Sequence, residues 1–123
     1  MTEKDTQQAI IDLINWRGGL AIRVNSGMTL ITDEATGKTR AIKHADQGTA
    51  DVIACYRGYF ISIEVKFGKN QPTPAQWEFK RRVESAMGYA IVAWDTDAAA
   101  RVLDLIDWRI DHPIDHPEAE KRL

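Results

Sequence analysis

The segment GTADVIACYRGYFISIEVK, residues 48–66, contains two apolar runs that are separated by an Arg-Gly pair. This pattern predicts strands over residues 52–56 and 59–66, antiparallel to each other and joined by a tight turn. Because alternate residues of a strand point to the same face, Glu64 and Lys66 share one face while β-branched residues line the other. The second strand therefore carries two charges opposite an apolar face.

Asp51 precedes the first of these strands, and a hairpin would bring its carboxylate beside that of Glu64. Two close carboxylates repel each other unless a cation lies between them, and their hard oxygen atoms suit Mg²⁺ or Mn²⁺. The alternative is an ion pair between Glu64 and Lys66 on a solvated face, which would contribute only about 0–1 kcal/mol. A third polar group, the amide of Gln76, is predicted to face this sheet from a helix, where it would need hydrogen-bond partners.

The remaining periodicity predicts three helices and four further strands. The expected helices cover residues 3–16, 74–87 and 97–106, and the expected strands cover residues 20–24, 28–32, 39–43 and 89–94. Thr73 and Gln76 occupy the two positions of a capping box, while Gly88 is expected to close the second helix and Thr96 to cap the third. The order of these elements predicts an α/β fold with a central mixed sheet flanked by helices.

The length of 123 residues allows one hydrophobic core and is too short for two. We expect a single domain over residues 1–110 and a polar tail over residues 111–123. A lone cysteine, Cys55, fits a reducing compartment. No apolar run approaches the roughly 18 residues of a membrane span, and the acidic start lacks the basic segment of a signal peptide. These features predict a cytoplasmic protein with no membrane partner.

The net charge of −2 argues weakly against a nucleic-acid partner. The charge is unevenly distributed, because residues 1–94 carry twelve bases and ten acids whereas residues 95–123 carry four bases and eight acids. If a metal neutralises Asp51 and Glu64, the remaining surface of the first part is basic. The charge thus permits nucleic-acid binding without favouring it.

Together these motifs resemble the PD-(D/E)XK nucleases, and in particular their VRR-NUC (virus-type replication-repair nuclease) branch. The shared pattern comprises Glu3, Arg23-x-Asn25-x-Gly27, Gly48-x-x-Asp51, Glu64-Val65-Lys66, Gln76-x-x-Phe79 and Gly88. It extends over residues 3–105, with one departure at Ala50, where many members have proline. The resemblance implies a restriction-endonuclease-like α-β-α sandwich.

The resemblance also implies a Mg²⁺- or Mn²⁺-dependent endonuclease in which Asp51, Glu64 and the main-chain carbonyl of Val65 hold the metal. Glu3 would be a further ligand, directly or through water, although an acid in the first turn of a helix also complements the helix dipole. Residue types of this kind fit the chemistry, because a divalent ion activates both phosphate and water.

In the same family pattern, Lys66 would orient the attacking water and Gln76 would position Lys66 or the phosphate. The products would carry a 5′-phosphate and a 3′-hydroxyl. The resemblance further implies a homodimer that acts on branched DNA such as four-way (Holliday) junctions, in the repair or recombination of DNA in a bacterial or phage-infected cell. Two sites related by a two-fold axis suit a substrate with two-fold symmetry.

Five residues are candidate contacts to nucleic acid: Arg23, Asn25, His44, Lys69 and Lys80. Two of them have simpler explanations, since His44 is also typical of an ordinary surface histidine and Lys80 of a solvated helix face. Trp77 lies on a more polar side of its helix, where it could stack on a base or be buried between subunits. The sequence leaves that choice open.

Two other functions remain open at this point. The same residues would serve an RNA-directed or restriction-like nuclease, because a fold does not determine its substrate. A non-catalytic nucleic-acid-binding module is the second alternative, with Glu64 and Lys66 as a surface ion pair. A zinc site at His112 and His116 is disfavoured, because the neighbouring prolines oppose a helix there.

Overall fold

A computed structural model describes residues 2–24, 28–43 and 47–113 of the chain. In this part of the chain the elements are, in order, α1 (Glu3–Trp16), β1 (Leu20–Arg23), β2 (Met28–Thr32), β3 (Thr39–Lys43), β4 (Val52–Tyr56), β5 (Tyr59–Val65), α2 (Pro74–Ser85), β6 (Tyr89–Ala93) and α3 (Thr96–Asp111). Every helix and strand that was expected from the sequence is present, with differences at the ends that reach five residues in α3.

Four strands form the central sheet in the order β1-β4-β5-β6, and β2 pairs with β3 in a separate antiparallel ribbon. Strand β4 is antiparallel to both β1 and β5, whereas β6 is parallel to β5. Helices α1 and α3 contact each other on one face of the sheet, and α2 connects β5 to β6 across the other face. The predicted α/β fold, with helices around a mixed sheet, is confirmed.

The core lies between the sheet and the α1–α3 pair. Strand β5 contributes Ile61, Ile63 and Val65, each at most 1% exposed. The two helices contribute the largest of their buried side chains to the same cluster, namely Ile10, Ile14, Leu103 and Ile106. Burial of such side chains stabilises a fold by about 1.5–3 kcal/mol each. The apolar face of β5 is therefore core, as its alternation predicted.

The turn between β4 and β5 sets the register of the hairpin. Arg57 and Gly58 have positive φ angles of 50° and 87°, which suit the two-residue turns that match the twist of paired strands. The pairing begins at Tyr56 and Tyr59 and ends with Val52 opposite Ile63. One residue further along this register, Asp51 lies opposite Glu64.

Three predicted helix boundaries are wrong, namely the end of α2 and both ends of α3. Helix α2 ends at Ser85, and the residue with positive φ beyond it is Met87 (72°), not Gly88. A Cβ atom on Gly88 would lie 2.9 Å from the Val83 side chain, so this glycine allows close packing and does not form the turn. The cap of α3 is Asp95, whose carboxylate accepts backbone N–H groups of the first turn.

Helix α3 also continues to Asp111, five residues past the predicted end, and so passes the expected domain boundary by one residue. Its last turns are fixed by Asp107, which accepts hydrogen bonds from Arg17, Tyr56 and Arg57. Part of the acidic excess of residues 95–123 is thereby matched by bases near the ends of α1 and β4. Residues 114–123 of the expected tail lie outside the described residues. Within the described ranges, none of the helices is both long and apolar enough to cross a membrane.

Candidate active site

The two predicted carboxylates lie together at one end of the β4–β5 hairpin. Asp51 immediately precedes β4, and its Oδ2 accepts a hydrogen bond of 2.8 Å from the backbone N–H of Val65. This bond ties the Asp51 side chain to the strand that carries Glu64. The sequence did not reveal this role of the Val65 N–H, because the family pattern points only to its carbonyl.

Glu64 is the most enclosed polar group of the site, with 7% of the residue exposed. Its Oε1 accepts a hydrogen bond of 2.8 Å from Gln76 Nε2 and lies 3.5 Å from Lys66 Nζ. Its Oε2 is buried and has no hydrogen-bond partner among the described residues. A buried carboxylate oxygen without a partner is costly, so this atom is a natural position for a ligand.

Burial raises the pKa of Glu64 to about 7, and the negative charge of the neighbouring Asp51 carboxylate acts in the same direction. The positive charge of Lys66 opposes both effects without cancelling them. A pair of carboxylates in this state holds a proton that a cation would displace. The electrostatics therefore favour a bound positive charge between Asp51 and Glu64.

Gln76 links the site to the start of α2. Its Oε1 accepts a hydrogen bond of 2.8 Å from the backbone N–H of Thr73, and the backbone N–H of Gln76 donates to Thr73 Oγ1. This confirms the predicted capping box. Since its oxygen is committed to the cap, the nitrogen is directed at Glu64. The amide thus contacts Glu64, and the structure shows no hydrogen bond from it to Lys66 among the described residues.

Gly48 sets how closely α2 approaches the loop before Asp51. Its φ angle is 87°, and a Cβ atom there would lie 2.5 Å from the carbonyl oxygen of Ala75. Both features require glycine. The Gly-x-x-Asp spacing in the sequence therefore reflects a packing contact that brings the helix carrying Gln76 against the site.

No family model matches the chain, and no curated protein matches it. Among solved structures, one described as a VRR_NUC domain is 17% identical to this chain, with a TM-score of 0.55. The match covers 85% of this chain and 97% of the other. The chain has the fold of a VRR_NUC domain. At this identity the likeness establishes the fold alone.

The residues of this VRR_NUC fold suit a divalent cation. Asp51 and Glu64 offer two carboxylates, and the unpartnered Oε2 of Glu64 is buried between polar groups. Within the described ranges, His, Cys, Asp and Glu side chains do not form any group of three that could hold a metal. Glu3 therefore does not join the pair as a third side chain in this arrangement, and its action through water stays a prediction.

The candidate contacts to nucleic acid have separate positions in the VRR_NUC fold. Arg23 is held by α1, where its guanidinium donates to Gln7 Oε1 at 3.0 Å and to the Lys4 carbonyl. Lys80 forms an ion pair with Glu84 at 2.8 Å along α2. Lys69 is exposed in the loop after β5, and Asn25 and His44 lie outside the described residues. None of the three that lie within the described residues, Arg23, Lys69 and Lys80, forms a hydrogen bond or ion pair with Asp51 or Glu64.

Proposed function

We propose that this protein is a metal-dependent endonuclease of the VRR-NUC family, which hydrolyses phosphodiester bonds in DNA. One observation carries the proposal: Asp51 and Glu64 lie together beside Lys66, and one buried oxygen of Glu64 lacks a partner in the described part of the chain. The structural likeness to a VRR_NUC domain supports the same class.

In this proposal Asp51 and Glu64 hold Mg²⁺ or Mn²⁺, with the main-chain carbonyl of Val65 as a third ligand. A divalent ion bound there supplies Lewis acidity toward the phosphate and lowers the pKa of water. The protein contributes orientation. The Val65 N–H fixes Asp51, and the Gln76 amide fixes Glu64, so that both carboxylates face the same point before any substrate arrives.

In this proposal Lys66 contacts the scissile phosphate. Its ammonium group is mostly buried and 3.5 Å from Glu64, so its charge is weakly screened by solvent. It would stabilise the negative charge that develops as the water oxygen bonds to phosphorus. The attacking water gives up one proton to solvent, the bond from phosphorus to the 3′ oxygen breaks, and this oxygen takes a proton from solvent. One product carries a 5′-phosphate and the other a 3′-hydroxyl.

We extend the proposal to a homodimer that acts on branched DNA, such as a four-way junction, in a bacterial or phage-infected cytoplasm. An exposed apolar groove on the β1–β4–β5 face supports the dimer, lined by Leu20, Ile22, Ile53, Ala54, Cys55 and Phe60. It lies on the same sheet face as Glu64. A second copy that covered this groove would bring two sites onto one substrate.

The decisive test is cleavage of labelled duplex, flap, four-way-junction and single-stranded RNA substrates in Mn²⁺ and in EDTA. We expect cleavage of DNA in Mn²⁺ only, its loss in Glu64→Gln, and no change in Glu34→Gln, which alters an exposed acid of the β2–β3 turn. Equal activity of wild type and Glu64→Gln would refute the site. Cleavage of RNA alone would show that the substrate is RNA and would leave the assignment of the site residues unchanged.

The dimer is tested separately by sedimentation. Ile22→Asp places a charge in the apolar groove and is expected to yield a monomer, whereas Leu30→Asp alters an exposed side chain of the ribbon and is expected to leave the dimer intact. A wild-type protein that sediments as a monomer would exclude the dimer without affecting the assignment of Asp51 and Glu64.

A further inference from the structure

A second groove lies beside the candidate site, between α2, β6 and α3. Its lining includes Trp77 and Lys80 of α2, Val92 of β6, Trp94 directly after β6 and Arg101 of α3, and we call it the tryptophan groove. Its volume is about 490 Å³, within the range of roughly 300–1,000 Å³ that is usual for sites binding small molecules. Helix α2 has no fully buried residue, so its side chains form the wall of an open groove.

Two tryptophans from different elements contribute to this groove. Trp77 belongs to α2 and is 47% exposed, and Trp94 directly follows β6 and is 42% exposed. Exposed indole rings offer a flat apolar surface, and covering that surface with a partner is favourable. A nucleobase can stack on such a ring whichever of the four bases it is.

The charged residues of the lining are both basic. Lys80 has Glu84 as its ion-pair partner, whereas Arg101 makes no hydrogen bond or ion pair within the described ranges. The groove on the other side of α2, which includes Phe60 and Phe79, contains both Arg82 and Glu78 and lacks this positive balance. An anionic ligand with an aromatic ring therefore fits the tryptophan groove better than the groove that includes Phe60 and Phe79.

The tryptophan groove adjoins the carboxylate pair. Val92, in its floor, lies opposite Glu64 in the parallel pairing of β5 with β6, a separation of about 4.8 Å between strands. The carbonyl of Ala93, next to Trp94, accepts the backbone N–H of Lys66 at 2.9 Å. Trp77 directly follows Gln76. A nucleotide in the groove would therefore be close to a phosphate held at Asp51 and Glu64.

We propose that the tryptophan groove binds an unpaired nucleobase of the DNA strand adjacent to the scissile phosphate. This inference rests on the proposed nuclease function and specifies its substrate as branched DNA in which a base at the branch is unpaired. A base inside a duplex is already stacked on its neighbours and cannot enter, whereas an unpaired base stacks on Trp77 or Trp94. Its phosphates would lie near Lys80 and Arg101.

The test compares binding of a blunt duplex with binding of the same duplex carrying a single-stranded thymidine overhang, by fluorescence anisotropy in EDTA. We expect wild type to prefer the overhang, and Trp77→Leu and Trp94→Leu to lose that preference, with binding of the overhang weakened roughly five- to a hundredfold. Binding of the blunt duplex should be unchanged. Trp16→Leu, which alters the most exposed tryptophan (85%) at the end of α1, is the matched control.

Circular dichroism of each variant checks that it is folded, and sedimentation reports its oligomeric state. Equal binding of both duplexes by wild type would overturn the inference. So would Trp77→Leu and Trp94→Leu variants that change the oligomeric state and leave the overhang preference intact, since the tryptophans would then lie between copies. Because the assay needs no cleavage, an inactive wild type that still prefers the overhang would refute the nuclease proposal alone.

Discussion

Gln76 Nε2 donates a hydrogen bond of 2.8 Å to Glu64 Oε1, while the oxygen of the same amide closes the cap of α2. One side chain thus joins the start of a helix to a buried carboxylate. The position of Glu64 depends on where α2 begins, and the stability of α2 depends on the residue that positions Glu64. Two substitutions can separate these effects.

Gln76→Ala is expected to remove both hydrogen bonds of the Gln76 side chain. Thr73→Ala removes only the hydroxyl that accepts the backbone N–H of Gln76. Each should lower the free energy of unfolding by about 0.5–2 kcal/mol, the usual cost of a lost N-cap. Only Gln76→Ala should also weaken Mn²⁺ binding, by roughly 10- to 100-fold, because it frees a proposed ligand to rotate.

Urea unfolding and calorimetric titration with Mn²⁺ provide the two measurements. If Thr73→Ala weakened Mn²⁺ binding as much as Gln76→Ala, the metal affinity would depend on the helix cap in general, and the proposed role of the Gln76 amide would be wrong.

The pKa of about 7 for Glu64 predicts how stability changes with pH in the absence of metal. In the unfolded chain this group titrates near 4.5, so between these two values the folded protein binds more protons than the unfolded one. The free energy of unfolding should therefore fall as the pH rises from about 4.5 to 7, and then level off. The total decrease in the free energy of unfolding is on the order of 3 kcal/mol.

Urea unfolding at pH 5, 6, 7 and 8 in EDTA measures this slope. Glu64→Gln should reduce it, because glutamine does not titrate, and the difference between the two proteins isolates Glu64 from other groups. Mn²⁺ should raise the melting temperature of wild type strongly at pH 8 and little at pH 5, where protons compete for the carboxylates. A slope that is the same in both proteins would show that Glu64 titrates normally.

The site could be anticipated from the sequence because its parts depend on local patterns. The Arg57-Gly58 turn sets the hairpin register, and that register alone places Asp51 opposite Glu64. The spacing from Thr73 to Gln76 predicts a capping box from hydrogen bonding within four residues. Each of these signals involves neighbours in the chain, so tertiary packing did not alter it.

What the sequence could not show depends on contacts between distant elements. The burial of Glu64 Oε2 requires α2 to cover β5, and nothing in residues 59–66 specifies that cover. Glycine is the usual residue for a left-handed position, so the sequence predicts it at Gly88, yet Met87 adopts it and Gly88 is needed for packing against Val83. The exposure of Trp94 follows from the path of the chain after β6, which no pattern in the neighbouring residues indicates.

Lys66→Met is expected to separate catalysis from metal binding. Removing a positive charge aimed at the transition state typically costs about 10²–10³ in rate. Binding of Mn²⁺ should be retained or become tighter, because Lys66 lies 3.5 Å from Glu64 and repels a cation there. Single-turnover cleavage and calorimetry measure the two effects.

Lys38→Met, which alters an exposed lysine near the β2–β3 turn, is the control and should change neither quantity. A Lys66→Met variant with wild-type cleavage would remove Lys66 from the reaction. One that loses Mn²⁺ binding would instead indicate that Lys66 acts by holding Glu64 in place.

Gly48→Ala tests whether the close approach of α2 organises the site. The variant combines a strained positive φ with a Cβ atom 2.5 Å from the Ala75 carbonyl oxygen, so the first turn of α2 has to move. Gly68→Ala is the matched control, because Gly68 also has a positive φ (59°) but faces open space. Both should lose about 1–3 kcal/mol of stability from strain. Only Gly48→Ala should also weaken Mn²⁺ binding and cleavage, since it carries Gln76 away from Glu64. If calorimetry gave the same Mn²⁺ affinity for the two variants, the contact between Gly48 and α2 would be structural alone.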